Sequence, residues 1–370
     1  MICNDFASVI IPTRNRSVLL EKVLRSLLSQ SLSSTEFEVI IVDNGSTDNT
    51  RDVVEAFIPL LPNLRYIYEP HPGLHAGRHR GFQEAQSNIL VYADDDIEAF
   101  PTWLETIKAC FKEDVAMVGG KNLPKFEIPP PDWLLSMWQP NAIGEQVLWQ
   151  LSILNLGDQP KSITPNFIFG CNFAIRRSVL ESAGGFHPDS MPQELIRYRG
   201  DGESHVSQYV QANGYQALYH PEASVYHWVS ASRMTIKYFC RRAYNQGISD
   251  SYTQLRKDNR LSPQLVPGPT SSTYTEHIPV PIKKLRSLYR RLRGKSFTQL
   301  PATLLRKIRS IEHPASATPI TAKLDQIQRQ IYAEYHAGYA FHQQAVVSDP
   351  TLLTWILKPD YWDYRLPEPS

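Results

Sequence analysis

The chain has 370 residues, 42% hydrophobic and 20% charged, with a formal net charge of +1, which excludes a disordered or fibrous class and leaves room for one large or two ordinary domains. A near-neutral balance supplies no basic field, so no nucleic-acid partner is expected. Cys3, Cys110, Cys171 and Cys240 lack metal or redox spacing, a strand begins too early to leave space for a signal peptide, and no apolar stretch reaches bilayer length, so a cytoplasmic protein is expected.

The run 7–13 is short, apolar and stopped by proline, as a buried strand should be. Apolar positions 18–28 then recur at threes and fours, which predicts an amphipathic helix with Asn15 or Ser17 near its cap. Residues 37–43 form a second strand and end in a turn, 43–48, rich in capping groups. Residues 64–68 read as a strand, and 75–87 as a helix that carries His75 and His79 on its surface. Strand 89–95, helix 103–112 and strand 115–119 complete the alternation. It predicts a mostly parallel sheet covered on both faces.

Periodicity lapses over 122–165, which holds Trp133, Trp138 and Trp149 and reads as a long functional loop. Structure resumes at 166–176. A helix opens at Asp201-Gly-Glu203 and closes at Asn213-Gly214, and two strands follow, 215–219 and 223–227. The expected domains are 1–230, with halves 1–121 and 122–230, and a mainly helical region 231–370 with a linker near 262–281. Residues 281–311 concentrate lysine and arginine around helically spaced apolar residues. Such a helix can lie on an anionic membrane or pack, solvated, on the rest of the protein.

The chain's strongest chemical signal is Asp94-Asp95-Asp96, at the C-terminal end of an apolar strand. Open α/β sheets bind ligands there. In extended chain Asp94 and Asp96 face one point. Two convergent carboxylates call for a cation, and a hard divalent ion shared with phosphates answers best. A solvated, helix-capping turn is the alternative.

Further motifs follow in order: Pro12-Thr13-Arg14-Asn15-Arg16, Val42 to Asp48, Gly73 to Arg78, Gly170-Cys171-Asn172, Gly184-Gly185-Phe186 and Val225-Tyr226-His227. With them the chain resembles the family 2 glycosyltransferases, nucleotide-sugar-dependent enzymes of GT-A fold. The resemblance implies a Rossmann-like, mostly parallel sheet flanked by helices, with a helical C-terminal extension. It assigns Pro12, Thr13, Arg16 and Asp43 to the nucleotide, and Arg78 to the base and diphosphate. The chain spells Gly77-Arg78-His79 where the family has Ala-Arg-Asn. Asp94, on the ribose side, and Asp95 go with the donor. Asp96, Asp94 and His227 go with Mn²⁺ or Mg²⁺. Gly170 and Asn172 line the donor sugar or acceptor, and Trp133 stacks on acceptor sugar or packs in the core. Glu203, counted back from Gly214, is the catalytic base, with Asp201 its rival. The implied reaction inverts the anomeric centre. It moves a sugar from a nucleotide-diphosphate donor to a saccharide or lipid-linked acceptor in polysaccharide or glycolipid synthesis, with peripheral contact at the inner membrane face through 281–311. The competing classes are a nucleotidyltransferase, whose glycine-rich phosphate loop is missing after the first strand, and a non-catalytic nucleotide-sugar-binding protein.

Overall fold

Four apolar runs of the first half pair in parallel in a computed structural model, which describes residues 3–261 and 319–367. They are β1 (Cys3–Thr13), β2 (Phe37–Asp43), β3 (Leu64–Tyr68) and β4 (Ser87–Ala93), in the order β4-β1-β2-β3. Every residue of β2 is buried, as a strand covered on both faces requires. Helices α1 (Ser17–Leu27), α2 (Thr50–Phe57) and α3 (Leu74–Glu84) make the crossovers. Beyond β4 the sheet becomes mixed. There β11 (Asn172–Arg176) runs antiparallel to β4 and to β6 (Val115–Gly119), and β12 (Gln216–Tyr219) lies parallel to β6. Leu20, Leu24, Val54 and Trp103 pack on one face of this sheet. Leu180, Phe186 and Val206 pack on the other.

The stretch 122–165 is not one long loop. It holds β7 (Asn122–Phe126), helix α5 (Asp132–Met137), β8 (Gln146–Leu148) and β9 (Ile153–Asn155). With β5 (Ile97–Ala99) and β13 (Val225–Val229) they build a second sheet, ordered β5-β13-β7-β9-β8. Strands of three residues are too short to show a period, and their pairing is set by distant partners.

Two compact units are present, residues 1–266 with 330–370, and residues 267–329. The first therefore runs past 230 and takes in the end of the chain. The described part of the second is the beginning of a long helix, Pro319–Ser348. The expected linker, 262–281, and the basic segment, 281–311, lie outside the described residues. Within the first unit, helix α8 (Ile236–Asp258) meets the later turns of that long helix at two glycines. A Cβ on Gly247 would fall 2.0 Å from the Tyr335 carbonyl oxygen, and one on Gly338 2.0 Å from that of Tyr244. Only glycine permits this backbone approach.

The final residues cover α3. Trp362 packs against His79 and Phe82, each at 4.6 Å between ring centroids, and Tyr364 donates to Glu69 at 2.7 Å. His75 and His79 are thus buried rather than on the surface, because α3 lies between the sheet and this tail. Burial holds His75 and His205 down at about 3 and His342 at about 4, and lowers His79 and His187 well below the ordinary imidazole range. The unfolded chain binds protons at these sites near pH 6.5 and the folded chain does not. Stability is therefore present above pH 6.5 and lost as pH falls toward about 3, by up to ~1.4 kcal/mol per pH unit for each histidine. The urea midpoint should drop between pH 7.5 and pH 5. A flat midpoint across that interval would contradict the burial.

Candidate active site

Strand β4 ends at Ala93, and Asp94 to Asp96 turn the chain before β5. Asp94 and Asp96 converge through this turn, not through extended chain. His227 joins them because β13 pairs antiparallel with β5, placing His227 opposite Ile97. The Trp228 N–H also donates to the Asp96 carbonyl at 2.8 Å. One ligand atom from each of Asp94, Asp96 and His227 lies within 4.8 Å of the others.

Asp96 is buried and faces three partners: His227 Nε2 at 3.1 Å, Arg16 Nη1 at 3.0 Å and Arg233 Nη1 at 3.0 Å. Burial acts to raise its pKa, but the His227 imidazole, then Arg233 and Arg16, hold it well below the usual carboxylate range. Asp95 points elsewhere and accepts from Thr13 Oγ1 and Arg16 Nη1, both at 2.7 Å. Burial pushes it up to about 6 despite Arg16. Burial, and then the charge of Asp96, raise Asp94 as well. Two carboxylates and an imidazole, converging at a sheet end, are a donor set that fits Mn²⁺ or a similar divalent cation.

The neighbouring strand ends carry the residues assigned to the nucleotide. Thr13 lies opposite Asp43 in the β1–β2 register. Asp43 caps the following turn by accepting from the Ser46 N–H at 2.7 Å, and it accepts from the Tyr66 hydroxyl at 2.7 Å. A carboxylate offers about four lone-pair directions, so both oxygens retain capacity. Pro12 packs against α3, where a Cβ on Gly77 would lie 2.9 Å from the proline Cβ. Close approach of α3 accounts for glycine at 77. Two residues on, His79 accepts the Phe186 N–H at 2.8 Å inside the core, so the departures at 77 and 79 serve packing.

Arg78 faces the site from α3. Its buried guanidinium lies 3.2 Å from Glu203, 3.8 Å from Asp94 and 5.0 Å from the Phe186 ring centroid. Glu203 opens helix α7 (Glu203–Ala212) and accepts from the Gly170 N–H at 3.3 Å. A Cβ on Gly170 would lie 2.3 Å from Arg78 Nη2, so glycine there admits both side chains. Asp201 is turned away and buried. It accepts from Thr253 Oγ1 at 2.7 Å and lies 2.6 Å from His187 Nδ1. Burial raises its pKa.

Two expected acceptor residues are placed differently. The Asn172 side chain is buried, accepting from Trp103 Nε1 and donating to the Ala223 carbonyl, both at 2.9 Å. Its amide is consumed by tying elements together. Trp133 packs edge-on against Phe239 at 5.0 Å and is 8% exposed, so of its two readings the core holds. Arg233, Tyr66, His187 and Thr253 were not legible in the sequence. None belongs to a spaced motif, and each arrives through long-range packing.

Residues 8–184 match the family model described as Glycosyl transferase family 2, and the domain they form belongs to that family. The chain is 27% identical over 216 residues to Glycosyltransferase AglE of Haloferax volcanii, covering 58% of this chain and 64% of that protein. It is 35% identical over 104 residues to Validoxylamine A glucosyltransferase of Streptomyces hygroscopicus subsp. jinggangensis, covering 28% and 24%. The chain thus spans less than two thirds of the length of these relatives. Among solved structures, the mannosyltransferase PcManGT from Pyrobaculum calidifontis, in complex with GDP-Man and Mn²⁺, aligns over 98% of this chain and 89% of its own, with 20% identity and a TM-score of 0.50. The fold is GT-A.

The two acidic residues at the start of α7 should respond differently to substitution. Asp201→Asn can keep both contacts, since the amide oxygen accepts from Thr253 and the amide nitrogen donates to His187 in its other tautomer. Asp201→Ala leaves the buried His187 Nδ1 without its partner, while Thr253 keeps the Ser249 carbonyl, and should cost roughly 1–3 kcal/mol. Denaturant titration of the two variants checks this; equal loss in both would count against the anchoring role.

Proposed function

We propose that this chain is an inverting, metal-dependent glycosyltransferase that moves a sugar from a nucleotide-diphosphate donor to a hydroxyl of a saccharide or lipid-linked acceptor. The observation that carries the reading is the meeting of Asp94, Asp96, His227, Arg78 and Glu203 at one end of the sheet. Pro12, Thr13, Arg16 and Asp43 border the nucleotide at the adjoining strand ends, and Asp94 with Asp95 complete the donor side. Asp96, Asp94 and His227 would hold the divalent ion, in keeping with the Mn²⁺ of the mannosyltransferase that shares the fold. When bound, that ion neutralises charge on the departing diphosphate. Arg78 supplies a second, fixed positive charge that suits phosphate oxygens.

Glu203 acts as general base. An acceptor hydroxyl is too weak an acid to attack unaided at neutral pH. As its oxygen bonds to the anomeric carbon, the bond from that carbon to the diphosphate breaks and the hydroxyl proton passes to Glu203. Attack opposite the leaving group inverts the centre. The engagement of Asp201 by His187 and Thr253 supports Glu203 over Asp201 as the base. The basic segment 281–311 would bring the site to an anionic membrane surface at its inner face when the acceptor is lipid-linked. Polysaccharide or glycolipid synthesis in the cytoplasm is the setting this implies.

A thermal-shift panel of GDP-mannose, UDP-glucose and UDP-N-acetylglucosamine, with and without Mn²⁺, tests the donor site. At least one should raise the melting temperature, and only with the metal. Asp96→Ala should abolish that shift, and an unchanged shift would argue against the metal assignment. Glu203→Gln should keep the donor-induced shift and lower transfer by about 10²–10⁴-fold, whereas Asp201→Asn should retain most of it. Loss of transfer in Asp201→Asn with activity kept in Glu203→Gln would reverse the assignment of the base.

A further inference from the structure

Of the chain's seven tryptophans, Trp149 alone remains exposed, at 47%. Single exposed apolar residues are ordinary. What separates this one is its connection to the reactive carboxylate. Trp149 opens a 3-10 turn, Trp149–Leu151, anchored by the fully buried Leu151. Its ring rests against Phe167 at 5.3 Å and Phe169 at 4.9 Å between centroids. The two phenylalanines fix its plane and leave part of the indole to solvent. Cys171 Sγ makes a second tie, lying 3.7 Å from the Ser152 carbonyl. The turn is therefore bound to segment 169–171, whose Gly170 N–H donates to Glu203. The ring contact to Phe169 and the Phe169–Gly170 peptide step of about 3.8 Å link the indole to that glycine.

We infer that Trp149, backed by Phe167 and Phe169, is a stacking platform for a pyranose ring of a saccharide acceptor, next to the hydroxyl that Glu203 deprotonates. This deepens the glycosyltransferase reading and takes the position of Glu203 from it. A pyranose presents a patch of C–H groups on one face and hydroxyls around its rim. A rigid, half-exposed indole matches the face. Gln150, partly buried, and Asn166, exposed, adjoin Trp149 and Phe167 in the chain and suit the rim. A lipid chain would instead call for a broad apolar patch, which one indole does not make.

The test is ¹⁹F NMR of the full chain labelled with 5-fluorotryptophan, titrated with maltotriose, mannotriose, cellotriose and chitotriose, without donor or metal. Trp149→Phe assigns the Trp149 resonance by its disappearance. The expected result is a saturable shift of that resonance with at least one trisaccharide, while Trp355, inside the core, stays still. Trp149→Ala should weaken the same binding roughly threefold to tenfold, as other resonances or calorimetry report it. A Trp149 resonance that ignores all four sugars overturns the proposal. So does one that moves only with phospholipid vesicles. Since no donor is present, failure here leaves the donor-site panel free to succeed, and failure of that panel does not touch this result.

Discussion

Three carboxylates in successive positions occupy one buried turn, and the surrounding structure is shaped by the need to hold them there. An uncompensated buried charge costs several kcal/mol, and like charges a few ångströms apart add to that cost. The chain answers with guanidinium groups from three distant places and an imidazole from a fourth. Arg16 comes from the start of α1, Arg78 from α3, His227 from β13, and Arg233 from the turn after it. Each carboxylate receives a different share. Asp95 is committed to Thr13 and Arg16, which locks the end of β1 to the end of β4. Asp96 stays ionised among two guanidinium donors and the His227 ring, while Asp94 keeps a part-exposed carboxylate. Environment divides one short motif into a structural brace and a pair of convergent carboxylates.

The two sheets divide the work of bringing these groups together. The parallel strands β4, β1 and β2 end side by side, so the acidic turn, Thr13 and Asp43 fall in a row by register alone. The second sheet closes the row from the other side. Its strand β13 pairs with β5, which directly follows the acidic turn, so His227 arrives opposite residues that adjoin Asp96. A short antiparallel pairing thereby converts a sequence separation of 131 residues into a 3.1 Å contact.

What was readable in the sequence follows the same division. Buried parallel strands announce themselves as continuous apolar runs, and carboxylates at their ends stand out because charge there is costly. The first half of the fold and the acidic turn could therefore be read directly. The second sheet could not, since Gln146–Leu148 and Ile153–Asn155 are too brief to carry a period. His75 and His79 misled for another reason. Imidazole suits surface and core alike, and what decided their burial was Trp362 and Tyr364, nearly three hundred positions later. Arg233 lacked any local cue, because a guanidinium in a turn reads as solvated until the carboxylate it faces is known.

The contrast between Asp201 and Glu203 shows how far the later part of the chain takes part in the site. The loop before α7 is held on both sides. Ser249 donates to the Gly200 carbonyl, and Thr253 to Asp201, so α8 grips it twice. Tyr252 of the same helix donates to Tyr361 of the tail, whose hydroxyl in turn donates to the Trp355 carbonyl. On the opposite side the Gly200 N–H donates to Pro188 and the His187 N–H to Gly202. With Asp201 so fixed, the backbone at Gly202 takes a φ of +56° and sends the next side chain toward Arg78 and Gly170. The direction of Glu203 is thus set by groups that never reach the cleft. Helix α8 and the tail belong to the frame of the carboxylate.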